Sequence, residues 1–501
     1  MNNTYIAILA ILCGTFSVAN AQSQQAFYQP IGSQLNTVAQ VSCCDSPVCG
    51  CEAVGCATAP TCGIDSGCIG GPACGCESAP APTCGADMGC ASEPCGCATA
   101  PNCGCDVGCA ISPACDIGNG CDSACGGGCP LGGGGCDLGD PFALFGTTGC
   151  GVAAGGWLQI GYHDKALPLF NAHPDRVNVH QAWLYAEKAA DGSNGLGLGG
   201  RIDYVYGVDA QDTQAFGINN DHWDNGWDNG IYGHAIPQLY AEAAYGNMSV
   251  KLGHFYTIIG WEVVTAPDNF FYSHAYTMYN SEPFTHTGAL ATLTPNDDLT
   301  IYGGYVFGWD SGFEDNGDAF LGGVSMTLSD DVSITYATIG GKFAEQNGVV
   351  GEEGYMHSLI ADVALTDNLQ YIIQSDLLDS NNAADETVRD TVGINNYLIY
   401  TVNDCLAFGG RFEWWNVDAR SQGFYGPNAP AGLVNTAGGD YDITALTLGL
   451  NYRPHANVIV RPEIRWDWVE GDQASLALAD ISFLEDNDSQ STFGIDTIFL
   501  F

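Results

Sequence analysis

The residues with chemistry to offer in this 501-residue chain are charged side chains set two apart. Arg461, Glu463, Arg465 and Asp467 follow one another at alternate positions, as do Arg411 with Glu413 and Arg201 with Asp203. On an extended chain, residues two apart share a face. Each set therefore projects from one side of a strand, and Val458, Val460, Ile464 and Trp466 occupy the other side. Alternating guanidinium and carboxylate groups are costly in a dry core but natural on the wall of a wet passage, where selection works by width and lining charge. On such a wall Arg201, Lys251, Arg411, Arg461 and Arg465 would supply positive charge. Asp203, Glu242, Asp362, Asp376, Glu413, Glu463, Asp467 and Asp496 would oppose them. For any single position a local ion pair is the plainer account. Collectively the acidic surplus predicts a preference for cations, which it would concentrate at the mouths.

Other chemistries find little support. No G-x-S-x-G, H-E-x-x-H or phosphate-cradling glycine loop occurs, so no catalytic residues, no cofactor and no enzyme are expected. Asp221, Asp224 and Asp228 lie close together, but their spacing misses the EF-hand pattern and their neighbours are ordinary turn formers, so no metal is assigned. His173, His180, His254 and His286 are too scattered to define a site. The formal charge of -45 excludes nucleic acid as a partner. The first basic residue is Lys165.

Cysteine divides the chain. Of its 24 cysteines, 22 lie between Cys43 and Cys150, leaving Cys13 and Cys405 outside. Cys-Gly-Cys recurs at 49–51, 74–76, 95–97 and 103–105, and C-G-x-D-x-G-C begins at Cys62, Cys84 and Cys103. Large apolar side chains are so few here that order must come from cross-links. Disulfides and metal thiolates compete for the sulfurs. An exported location and an even count favour disulfides, including bridges between molecules, while Cys-x-Cys beside carboxylates keeps a soft metal in play. Cys405 is the odd thiol out, either paired with this segment or buried and inert.

The elements that would position the charges come into view after Gly151. Residues 5–12 (YIAILAIL) and Ala19-Asn20-Ala21 read as a signal peptide over 1–21, followed by a cysteine-rich low-complexity segment over 22–150. No later run is long and apolar enough for a helical span, so entry into a membrane requires a closed barrel. Over 151–501 two-residue alternation predicts sixteen strands: 155–163, 177–188, 196–207, 235–245, 248–257, 284–294, 298–308, 318–328, 331–342, 354–365, 368–378, 391–401, 404–415, 440–452, 456–468 and 491–501. Short turns such as Gly246-Asn247, Ser329-Asp330 and Thr366-Asp367 alternate with long links at 164–176, 208–234, 258–283, 309–317, 343–353, 379–390, 416–439 and 469–490. That rhythm is the asymmetry of an all-β, sixteen-stranded antiparallel transmembrane barrel. Trp157, Tyr206, Tyr245, Trp309, Tyr336, Trp414, Trp415 and Trp468, near strand ends, are expected to form its interfacial girdle. The chain ends on Phe493, Ile495, Thr497, Phe499 and Phe501, one greasy face of a strand with no charge or proline to blunt an edge. Closure against the first strand is the expected remedy. An even strand count puts both barrel ends, and hence the cysteine segment, on the periplasmic side.

Gly253, Phe255, Thr257, Gly260 and Glu262 form a G-x-F-x-T-x-x-G-x-E pattern, followed by Asn269-Phe270-Phe271-Tyr272-Ser273, Pro283-Phe284-Thr285-His286-Thr287-Gly288 and Gly308-Trp309-Asp310. With His180-Gln181-Ala182-Trp183-Leu184-Tyr185 upstream, this resembles the OmpL-like β-barrel porin family of Gram-negative-type envelopes, over about residues 151–501. The resemblance implies an outer-membrane porin passing ions and small hydrophilic solutes, with outer-membrane lipid and further copies of the chain as the other expected partners. By analogy with porins whose third external loop folds inside, residues 258–283, carrying Glu262 and Asp268, are the candidate constriction. A structural envelope protein that uses the barrel as an anchor for the cysteine segment is the rival reading.

Overall fold

The computed structural model describes residues 136, 138–145, 151–167, 169–215, 223–313, 317–346, 350–419, 439–471 and 488–501. The signal peptide, the repeats from Cys43 to Cys129, Cys150 and Asp221 lie outside them. Alternation of apolar and polar residues becomes alternation of outward and inward side chains. On one strand Phe408 and Phe412 are each 45% exposed, whereas Arg411 is 1% and Glu413 0% exposed. The elements in order are β1 (Ala153–His163), β2 (Arg176–Lys188), β3 (Gly197–Gly207), helix α1 (Ala210–Thr213), a two-residue β4 (Asp228–Asn229), β5 (Tyr232–Tyr245) and β6 (Met248–Tyr256). A 3-10 turn (Ala266–Asp268) and helix α2 (Tyr276–Ser281) precede β7 (Thr285–Asn296), β8 (Leu299–Val306), β9 (Asp318–Ser329), β10 (Val332–Gln346) and β11 (Val350–Thr366). The wall finishes with β12 (Leu369–Asn382), β13 (Thr387–Asn403), β14 (Leu406–Ala419), β15 (Gly439–His455), β16 (Val458–Gly471) and β17 (Ser489–Leu500).

All strands but β4 form the wall, sixteen in number, each antiparallel to its neighbours, with β3 paired to β5 across the β4 loop. The last strand returns to the first: Trp157 faces Leu500, Gly161 faces Asp496 and His163 faces Gly494. The aromatic terminal strand is thus no edge. Its ladder is completed at the chain end, where Gly156 and Phe501 exchange two backbone hydrogen bonds of 2.9 Å.

Two-residue turns join β5 to β6, β7 to β8, β9 to β10, β11 to β12, β13 to β14 and β15 to β16 at the rim that also holds both barrel ends. We call this the terminal rim. The link 189–196 between β2 and β3 also lies at the terminal rim, and the opposite rim carries the remaining links, with two corrections to the sequence reading. The links expected at 343–353 and 379–390 shrink to 347–349 and 383–386, because β10 to β13 run on past their apolar stretches. Polar inward residues make this extension possible. Arg389 and Ser380 both bond Glu352, at 2.7 and 2.5 Å, and Arg389 also covers the Trp309 ring.

The aromatic girdle needs correcting too. Tyr245 and Trp468 do face outward, 69% and 38% exposed, but Trp157, Trp309 and Trp415 point inward and are buried. Trp309 and Trp415 belong to apolar clusters inside the half of the barrel toward the long-link rim, whereas Trp157 packs with Trp183, Ile459 and Ile498 nearer the terminal rim. One cluster gathers Trp415, Val417, Tyr441 and Ile443 around Tyr276; another gathers Trp309, Leu321, Ile339 and Phe343 around Ile259. The barrel is lined at that level by packed side chains as well as by charges.

Candidate functional site: the channel interior

What fills the interior is the segment between β6 and β7, residues 257–284. It leaves β6 through Gly260, whose φ of +92° and crowding by the Glu282 carboxylate admit no side chain. The segment crosses the lumen and is bonded along its length to inward side chains of β12, β13, β14 and β16. Arg461 donates from Nη1 to the carbonyls of Ala266, Asn269 and Phe271 at 2.7–3.0 Å, while its Nε and Nη2 form a two-point pair with Asp496. Glu463 accepts from the backbone N–H groups of Tyr272 and Ser273, and Glu413 from those of Tyr276 and Thr277. Arg411 pairs with Glu262 at 2.6 Å and donates to the Ser273 carbonyl at 2.7 Å. Arg465 pairs with Asp467 and donates to the His274 carbonyl. Asp467 in turn accepts from the Tyr276 hydroxyl.

A chain segment laid across a barrel has backbone groups that need partners. The charged pairs on β14 and β16 supply them, with fixed donors and acceptors where an irregular segment has no ladder of its own. These six residues, expected from sequence on the wall, are there, and the segment covers all of them; none is more than 6% exposed. Asp268 closes the 3-10 turn by accepting from Thr265 Oγ1 at 2.5 Å.

Glycines on the wall make room for the segment. A Cβ on Gly409 would lie 2.3 Å from the Phe270 ring, on Gly449 3.1 Å from Phe271, on Gly393 2.5 Å from Thr277, and on Gly494 2.9 Å from Tyr272. The notches on β14, β15 and β17 receive Phe270, Phe271 and Tyr272 in turn, and the one on β13 receives Thr277. Tyr272 reaches the closing seam and enters a buried chain of polar groups. Asp209 Oδ1 is 2.7 Å from His180 Nδ1, His180 Nε2 is 2.6 Å from the Tyr272 oxygen, and His163 Nδ1 is 3.2 Å from that oxygen. With Asp209 accepting, neutral His180 donates from Nδ1 and accepts at Nε2 the hydrogen bond that the Tyr272 hydroxyl donates. Gln181 extends the lock, donating to Asp209 and the Val264 carbonyl and accepting from Trp157 and the Ala266 N–H.

The segment's far end is held by carboxyl groups absent from the sequence-based set of site residues. Asp310 Oδ1 accepts from the N–H groups of Phe284 and Thr285 at 2.7 and 2.8 Å. Burial pushes Asp310 up to about 7, against the pull of those bonds. Glu282 stands beside Asp376 of β12, and Gln374 donates to both at 2.6 Å. Burial and the neighbouring Asp376 carboxyl push Glu282 well above the usual carboxylate range. These residues were hard to find in advance, since a lone Asp or Glu in a link carries no periodic signal.

The remaining expected residues form a second group on β2 to β6, toward the terminal rim. Arg201 pairs with Asp203 at 2.6 Å and Glu187 at 3.1 Å and lies over the Tyr185 ring. Glu242 stands opposite Lys251, whose ammonium covers Tyr240. Arg201, Glu242 and Lys251 are half-buried and open to solvent, unlike the covered group. Deeper in, each of the sixteen wall strands has an inward side chain no more than 7% exposed, from Gln159 on β1 and Phe255 on β6 through Ile339 on β10 to Arg465 on β16.

Among the described residues no three His, Cys, Asp or Glu side chains are grouped as metal ligands. Asp224 accepts from the N–H groups of Ala215 and Ile236, and Asp228 from Gln214, so both organise their own loop.

A closed barrel whose third long link folds inward is a porin plan, and sequence comparison agrees. The family described as "Putative beta-barrel porin-2, OmpL-like" matches residues 151–501. The chain belongs to that family. It is an outer-membrane channel protein. Among curated proteins none matches by sequence. Similar solved structures include in-vitro folded OmpT, an outer-membrane protein of Vibrio cholerae, at 13% identity and TM-score 0.46, covering 70% of this chain and 97% of that one. The outer-membrane channel DcaP of Acinetobacter baumannii is 10% identical with a TM-score of 0.46, over 72% of this chain and 100% of that one. An anion-selective porin from Comamonas acidovorans is 11% identical with a TM-score of 0.44, over 70% and 99%.

Proposed function

We propose that this porin is a restrictive channel for ions and small hydrophilic solutes, preferring cations, in which residues 257–284 set the width. The observation that carries the reading is the seating of that segment, bonded to Arg411, Glu413, Arg461, Glu463 and Arg465 across the lumen. The half-buried wall charges support cation preference, since Glu187, Glu242 and Asp362 outnumber Arg201 and Lys251. In this reading the terminal rim, with its two-residue turns, faces the periplasm. There the mature chain, freed of residues 1–21, would carry the disulfide-rich stretch 22–150, and copies of the barrel would associate as a homo-oligomer.

Planar-bilayer recording of the full chain tests this. A small cation-selective conductance is expected, rising when residues 261–281 are replaced by a short Gly-Ser link. Anion-selective reversal potentials would remove the charge argument. A second reading is favoured by the covered wall: a barrel that only anchors the cysteine-rich segment. Silence in both the full chain and the shortened variant is its signature.

A further inference from the structure

Ahead of the first wall strand, the chain runs along the terminal rim as a strap. Cys136 forms a disulfide with Cys405 at the β13–β14 turn, with Cα atoms 5.9 Å apart. Two residues on, the Leu138 carbonyl accepts from the Ala456 N–H at the β15–β16 turn, 2.9 Å away. Asn457 closes a reciprocal bracket. Its Oδ1 accepts from the Phe142 N–H at 2.6 Å, and its Nδ2 donates to the Phe142 carbonyl at 2.7 Å and to the Leu500 carbonyl at 2.8 Å. The strap is therefore fixed at β14 at one end and beside the end of β17 at the other.

Exposure indicates which side of the rim it occupies. By the alternation of β14, Leu406 shares the lipid-facing side with Phe408 and Phe412, yet it is 7% exposed where they are 45%. Cover is present where the strap is bonded to the adjoining Cys405. At the bracket and beyond it Phe142, Leu144 and Phe145 stand 59%, 54% and 44% exposed, and no charged residue occurs from Pro141 to Cys150. The bracket pins the backbone at Phe142, two and three residues from Leu144 and Phe145, so Phe142 cannot fold away from water and the other two start from the same rim position. Leaving such side chains wet forgoes the stabilisation that burying apolar surface gives. The outward-facing Phe499 on β17, 41% exposed, lies next to Leu500, which Asn457 ties to the strap, so this apolar run continues the lipid-facing band of the wall.

We propose that Phe142, Leu144 and Phe145 are immersed in the bilayer leaflet at the terminal rim, so that the strap binds lipid and fixes the N-terminal segment to the membrane as well as to the barrel. The proposal rests on the reading that the barrel spans a membrane, and adds a lipid contact outside the wall strands. Interfacial segments of this kind hold by buried apolar area.

The test is photocrosslinking of the full chain in the outer membrane, with p-benzoyl-phenylalanine placed at Phe142, at Phe145 and, as the reference lipid-facing position, at Phe408. Intact-mass analysis is expected to find phospholipid or lipopolysaccharide adducts at 142 and 145 in yields similar to those at 408. Adducts to a second copy or to another protein, or no lipid adduct at 142 and 145 while 408 labels lipid, would overturn the strap's lipid contact and leave the barrel reading standing. Failure of 408 itself to label lipid would overturn both.

Discussion

Arg461 shows what the charged residues of the interior do. Its guanidinium serves three backbone carbonyls and one carboxylate, all buried. Replacing it with Leu strands these acceptors, and loss of about 3–5 kcal/mol is expected from breaking a buried pair, read as a lower urea midpoint for barrel folding in detergent. Arg461→Lys should recover only part, because an ammonium cannot reproduce the fork. Asp310 gives a pH prediction. Its carboxyl, pushed up to about 7 by burial, keeps its proton in the folded protein over a range where the unfolded chain, at about 4, has lost it. Stability should then fall as pH rises from about 4 to about 7, and the full cost should be present above that. Asp310→Asn keeps an oxygen for the Phe284 and Thr285 N–H groups and should flatten the decline, as pH-resolved urea titrations would show. The inward direction of Arg411, Glu413 and the β16 charges was legible in the sequence, because a period of two is a local signal. That a distant segment would bury them was not, since coverage by residues 140 to 200 positions away leaves no trace in the strand itself.

At the scale of elements, the segment 257–284 and the glycines facing it form one fitted unit. Gly409→Val should expel Phe270 from its notch and raise conductance without disturbing the β13–β14 register. Gly410→Val, where an added Cβ comes no nearer than 3.4 Å to Leu448, should leave conductance as it is. Bilayer recordings on the two neighbouring variants separate a seating effect from a loss of strand propensity, since both carry the same change in backbone freedom. All sixteen wall strands could be placed from alternation, with ends within a few residues. The larger misjudgements came on β10 to β13, where Asp379 to Glu386 reads as a loop by composition. There inward polar residues such as Glu352 and Arg389 pair with each other and carry the ladder past the apolar band. The inward turn of Trp157, Trp309 and Trp415 was likewise hidden, because an aromatic near a strand end looks the same whether it meets lipid headgroups or an internal cluster.

For the whole molecule, closure was readable from an aromatic last strand without edge protection, and the β1–β17 seam supplies the missing partner. The clip between Cys136 and Cys405 was open in the sequence, where Cys405 had two fates. Cutting it by Cys405→Ser should lower stability toward unfolding by about 2–4 kcal/mol, visible as a shift in the urea midpoint under non-reducing conditions. The clip also has an arithmetical consequence. It withdraws one sulfur from the 22 between Cys43 and Cys150 and leaves 21, an odd number. If residues 1–21, with Cys13, are removed as the sequence leads one to expect, no arrangement of bonds inside a single molecule can consume every remaining cysteine. Parity alone then requires each molecule to keep an unspent sulfur, as a titratable thiol, a metal ligand or one half of a covalent link to something else.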